Sequence, residues 1–149
     1  MALFPKRPPS ALKMNTPRET IRGAGHMRFV RLGPMPTTKM NAIVQTDPQE
    51  RQSLELHEVE VPKLRSGEVL VKVQAAGVNR GDILQTMGAY PPPPGASEIL
   101  GLEAAGTIAD AGDTDWEVGT EVGCLLAGGG YAEYVAVPQG QLLPVPKGL

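Results

Sequence analysis

From Met40 onward, short apolar stretches alternate with polar punctuation, and for most of the chain the period is two. Residues 41–46 read as a strand, turned by Asp47-Pro48-Gln49-Glu50. Residues 54–61 alternate as well, but the phase slips between Leu56 and Val59, which predicts a bulge. After a turn at 62–67, Val69, Val71 and Val73 point to one side of a strand and Leu70, Lys72 and Gln74 to the other. The period then changes. Asn79 opens a short helix whose stripe is Ile83, Leu84 and Met87 and whose end is Gly88. Strands follow at 99–109, 122–126 and 131–137, with a last short one at 142–145 broken by prolines. Many short strands around one helical turn predict a mainly β fold, a small barrel or sandwich.

Before Met40 no hydrophobic period is sustained, and prolines stand at 5, 8, 9, 17, 34 and 36, so residues 1–39 read as an unfolded leader. This segment also splits the charge. It holds eight of the fourteen Lys and Arg and one of the sixteen acids, a balance of +7 that leaves −9 on residues 40–149. An Arg-rich, acid-poor leader fits an organelle transit peptide. The other reading is a stretch upstream of a natural start at Met40, with Gly25-His26-Met27 as a cloning junction. The expected location is the cytoplasm, or the mitochondrion if residues 1–39 are a transit peptide.

The acidic body argues against a nucleic-acid partner. No apolar run approaches the roughly 18 residues of a membrane span. A hydrophobic fraction of 41% and a charged fraction of 20% suit a folded soluble domain, and 18 Gly with 15 Pro suit frequent turns. The single cysteine, Cys124, excludes an internal disulfide and sits in an apolar run where burial is the natural role.

Candidate chemistry gathers between residues 79 and 106. Asn79 stands where strand becomes helix, and Asp82 three positions on completes a capping-box spacing; the electropositive helix start also suits an anionic or carbonyl-bearing ligand. Tyr90 precedes four prolines, which either receive its ring or hold its hydroxyl towards a cleft as a hydrogen-bond or proton donor. Glu103, between Gly101 and Gly106, is expected to be ion-paired, with Arg80 or Lys72. Gly128-Gly129-Gly130 leads into strand rather than helix, so a tight turn or a close approach by another segment is expected there, not a phosphate loop. His26, His57 and Cys124 have no metal-ligand spacing.

These residues also carry a pattern. Met40-Asn-Ala-Ile-Val, Gly67-Glu-Val-Leu-Val-Lys-Val, Ala75-Ala-Gly-Val-Asn-Arg-Gly-Asp82, Tyr90-Pro-Pro-Pro-Pro-Gly95, Gly101-Leu-Glu-Ala-Ala-Gly106 and Gly129-Gly-Tyr-Ala-Glu-Tyr134 resemble the medium-chain dehydrogenase/reductases. The likeness is strongest to the zinc-independent NADPH:quinone oxidoreductase branch. Zinc alcohol dehydrogenases have Cys at the position of Asn79 and Gly-His-Glu at Gly101-Leu102-Glu103. The resemblance implies a GroES-like, partly open β-barrel over residues 40–149. It implies a quinone or enone as small-molecule substrate and NADPH as cofactor. Asn79 and Tyr90 would be the catalytic residues, Asn79 and Asp82 would line the nicotinamide cleft, and no metal is implied. The family's glycine fingerprint belongs to a Rossmann domain that would follow Leu149, so this stretch alone is expected to be inactive and not to form the family's homodimer. Gly119-Thr-Glu-Val122 departs from the usual Gly-Asp-Arg-Val and loses an arginine. The alternatives are a non-catalytic GroES-like binding or regulatory module and the corresponding domain of an enoyl reductase.

Overall fold

The structure, a computed structural model, describes residues 38–48, 50, 53–146 and 148. The leader read at 1–39 lies outside them except for its last two positions. The elements in order are β1 (Lys39–Gln45), β2 (Leu54–Glu60), β3 (Glu68–Ala76), α1 (Arg80–Thr86), β4 (Glu103–Asp110), β5 (Glu121–Leu125), β6 (Tyr134–Pro138), a 3₁₀ turn at Gln139–Gln141, and β7 (Leu142–Pro144). The fold is mainly β, as the period-two pattern requires. No helix among the described residues is long and apolar enough to cross a membrane.

β1 and β2 form an antiparallel hairpin, and the remaining strands form an antiparallel sheet in the order β6-β3-β4-β5-β7. The sheet is curled into a half-barrel. The hairpin is laid against it beside β6: Ala42 bridges Ala132, the Ile43 N–H donates to the Tyr131 carbonyl at 2.8 Å, and the Glu133 N–H donates to the Asn41 carbonyl at 3.0 Å. The inward alternation of the strands makes the core. Val69 and Val71 of β3, Ile108 of β4, Val122 of β5 and Val137 of β6 are essentially sealed from solvent. Cys124 lies among them, and burial pushes its thiol up to about 11, as expected of an inert core cysteine.

One expectation is corrected. The phase slip in residues 54–61 produces no bulge: β2 pairs with β1 in unbroken register from Lys39↔Glu60 to Gln45↔Leu54. β2 is exposed except at Val59, which packs on Met40, Ala42 and Ala132, so one contact rather than a whole buried face sets its pattern. The irregularities fall in β3 instead, between Leu70 and Val71 and between Val73 and Ala75 against β4. The second lies at the end of β3, just before the chain leaves for α1, where a local bend re-aims it.

The acidic turn after β4 clips the strand entry of β3. The Ser66 hydroxyl donates to Asp113 Oδ2 at 2.6 Å and the Gly67 N–H to Oδ1 at 2.7 Å. These bonds, Ser66's first, hold the Asp113 carboxyl below the usual carboxylate range.

Candidate functional site

Where β3 gives way to α1, the helix is short and must be capped to persist. The Asp82 half of the capping exchange is made, its carboxylate accepting the Asn79 N–H at 2.7 Å, while the Asp82 N–H donates to the Asn79 backbone carbonyl at 3.1 Å and no side-chain hydrogen bond from Asn79 caps the helix. The spacing read in the sequence is therefore used structurally.

The apolar stripe is a further correction. The buried residues of α1 are Asp82 and Thr86, whereas of the stripe Ile83 is 55% exposed, Met87 40%, and Leu84 alone is half-buried. Polar tethers explain the inversion. Gln45 Nε2 donates to the Thr86 carbonyl at 3.0 Å, binding the helix to β1, and the Thr86 hydroxyl donates back to the Ile83 carbonyl at 2.8 Å. Asp82 reaches inward to a residue far along the chain: the Tyr131 hydroxyl donates to Asp82 Oδ2 at 2.9 Å and lies 3.4 Å from the Gly77 carbonyl. One carboxylate oxygen thus holds both the start of α1 and the phenol. Its other oxygen, Oδ1, and Gln85 Oε1 are buried without hydrogen-bond partners, a cost of about 1–3 kcal/mol apiece. Burial first, then the bond to Asp82 and the charges of Asp82 and Glu103, push the Tyr131 phenol up to about 12. It is a neutral hydroxyl at physiological pH, with its proton directed at a carboxylate.

Nothing in the sequence singles out Tyr131, which reads there as an ordinary strand position. The available signal was Gly128-Gly129-Gly130 immediately before it. These glycines are close approaches, as expected: a Cβ on Gly128 would stand 2.7 Å from the Ser97 carbonyl oxygen, and one on Gly130 would meet the carbonyls of Gly101 and Glu103 at 3.0–3.1 Å. They set Tyr131 directly beside the strand start that carries Leu102 and Glu103.

That strand start faces the same turn. A Cβ on Gly81 would come within 2.5 Å of Leu102 Cδ1 and 4.0 Å of Tyr90 Cε1, so Leu102, Gly81 and the Tyr90 ring form one cluster two residues beyond Asn79. Tyr90 is 51% exposed at the entrance to the proline loop. A Cβ on Gly77 would fall on the Glu103 carboxylate, which packs against that glycine. Glu103 is exposed, and among the described residues no cation pairs with it, so the expected ion pair with Arg80 or Lys72 is absent. Asn79, Asp82 and Tyr90 are therefore brought to one segment with Tyr131 and Leu102. Asn79 is half-buried, Asp82 lies beneath the surface, and Tyr90 stands at the edge. Among the described residues no three His, Cys, Asp or Glu side chains are grouped as a metal ion would need.

The model of the alcohol dehydrogenase GroES-like domain matches residues 65–147. The alcohol dehydrogenase of Geobacillus stearothermophilus is 38% identical over 98 residues, which are 63% of this chain and 29% of that enzyme. The quinone oxidoreductase of Mus musculus is 35% identical over 95 residues, 62% of this chain and 29% of that one. Among solved structures, mycobacterial Rv1454c complexed with NADPH aligns with a TM-score of 0.64 at 30% identity, over 73% of this chain and 33% of that chain. The chain spans about a third or less of the length of these relatives.

Proposed function

The chain belongs to the alcohol dehydrogenase GroES-like domain family of the medium-chain dehydrogenase/reductases, and on that premise we propose that it is the substrate-side domain of a zinc-independent, NADPH-dependent oxidoreductase acting on a quinone or an enone. The observation that carries the reading is the Asp82 carboxylate tying Tyr131 to the start of α1, with Leu102 packed on Gly81 beside it. Leu102 offers no lone pair and Asn79 offers an amide rather than a thiolate, so the donor set is the wrong one for Zn²⁺.

NADPH, when bound, supplies a hydride. The residues here fit its nicotinamide end: Asn79 is a half-buried neutral amide, Tyr131 a neutral phenol, and the unmatched buried oxygens of Asp82 and Gln85 mark α1 as polar inside. Arg80 is the one cation of α1, so the phosphates would be gripped elsewhere. Asn79 would orient the ring through its amide. Asp82, 3% exposed, is a positioning residue that fixes the phenol and the first turn. Tyr90 would meet the acceptor's carbonyl oxygen with its hydroxyl. Val78, Ile83 and Met87, apolar and exposed on the same segment, would give a planar uncharged acceptor a dry surface.

The test uses a longer protein that contains this chain. NADPH-dependent reduction of 1,4-benzoquinone is expected, undiminished by a strong zinc chelator and faster than reduction of an enoyl thioester. Asn79→Ala and Tyr131→Phe are each expected to lower kcat/KM roughly tenfold or more, about 1.4 kcal/mol of transition-state stabilisation per factor of ten. The 149-residue chain alone is expected to bind NADPH only weakly. Chelator-sensitive turnover, or micromolar NADPH binding by that chain in calorimetry, would overturn the reading.

A further inference from the structure

We infer that the chain carries a second ligand site, for an apolar molecule ending in a carboxylate, in the cavity between the proline loop and β6. The cavity measures about 510 Å³ and shares no residue with the Asn79–Tyr131 cluster. Small-molecule sites occupy roughly 300–1,000 Å³, so it is large enough to hold one.

Its floor is apolar and already part of the folded core: Met40 is 4% exposed, Leu126 7% and Val135 4%. Pro93 and Pro94 form a wall that loses little entropy on binding. The mouth is different. Lys63 and Arg65 stand there on the link from β2 to β3, and the Arg65 guanidinium reaches the proline loop, with Nη1 3.8 Å from where a Cβ on Gly95 would be.

Two acids, Glu60 and Glu68, share the rim, and Glu68 Oε2 accepts the Arg65 backbone N–H at 2.8 Å. Among the described residues neither Lys63 nor Arg65 has a carboxylate within ion-pair distance. The Ser97 hydroxyl accepts the Ile99 N–H at 3.2 Å and keeps its own proton to give. A guanidinium fork, an ammonium and a hydroxyl over a hydrocarbon floor match a carboxylate head on an aliphatic tail.

The inference does not rest on the quinone reading. It is tested by titrating the isotope-labelled 149-residue chain with octanoate and following backbone amide shifts. Shifts are expected at Ala96, Ser97, Ala127, Gly128 and Val135, saturating in the millimolar range. Octanamide, of equal length and uncharged, is expected to bind at least about fivefold more weakly. Arg65→Gln, an exposed substitution whose spectrum reports that the fold is kept, should lower octanoate affinity about fivefold and abolish the preference over octanamide. No shifts, shifts centred on Asn79 and Tyr131, equal binding of octanamide, or an Arg65→Gln variant that binds as before would each overturn it.

Discussion

Ile108 and Ile83 are the same residue in opposite circumstances. Ile108 is 1% exposed in the middle of β4, packed among Val69, Val71, Val122 and Val137, and its side of the molecule is held by removal of hydrocarbon from water. Ile83 is 55% exposed on α1, a helix whose inward face is an aspartate and a threonine and whose anchors are hydrogen bonds to Tyr131, Asn79 and Gln45. The sheet is stabilised without direction; the helix is held with direction. A site that must fix an amide and a phenol needs the second kind of attachment, because hydrophobic contact alone leaves orientation loosely specified.

The contrast can be broken at several points, in decreasing order of effect. Gly106→Ala would drive a Cβ into the Lys72 carbonyl across the β3–β4 pairing, and a loss of about 3 kcal/mol or more is expected in chemical denaturation. Gly140→Ala, with nothing within 4 Å, should cost little. Ile108→Ala should cost about 2–5 kcal/mol, the range for a fully buried branched side chain.

Asp82→Ala strands the Tyr131 hydroxyl and the Asn79 N–H, and about 1–3 kcal/mol is expected, with Asp82→Asn recovering much of it because one acceptor oxygen remains. Alkali should act through the two groups whose values are raised by burial, Cys124 from 9.0 to about 11 and Tyr131 from 10.0 to about 12. A raised folded value means that the folded state keeps its proton longer than the unfolded one. Stability is therefore full below about pH 9 and falls as pH climbs towards 12, and Tyr131→Phe should flatten the upper part of that decline in thermal melts.

Ile83→Ala should change stability by no more than about 0.5 kcal/mol, since little burial is lost and alanine is the better helix former. A loss beyond about 1 kcal/mol would mean that the apolar face of α1 is packed after all, and the comparison with Ile108 would fail.

The strands were legible because their residues alternate against a buried face. β3 and β5 lie almost where residues 68–74 and 122–126 were expected, and Cys124 is buried as its neighbours imply. β2 shows the limit: apart from Val59, which packs on Met40, Ala42 and Ala132, the strand is exposed, so a phase slip between Leu56 and Val59 carries no structural meaning and produces no bulge. The capping contact between Asn79 and Asp82 was legible because it is local, spanning four residues. Tyr131 was not, because its partner lies 49 positions away and nothing local distinguishes it from its neighbours. The helix face is not legible for a related reason. A seven-residue helix has too few apolar positions to choose its own orientation, so the tethers from Gln45 and Tyr131 choose it.

What the chain settles by itself is what depends on neighbours in sequence: the period-two strands, the turns rich in Gly and Pro, the cap that starts α1, and the motifs that mark the family. What only the tertiary structure decided is which side of α1 faces inward and which phenol meets Asp82. The reason is physical. A hydrogen bond between distant residues is set by the path of the backbone through the curled sheet, and that path is fixed by the packing of Val69, Val71, Ile108 and Val122 rather than by any residue that makes the bond.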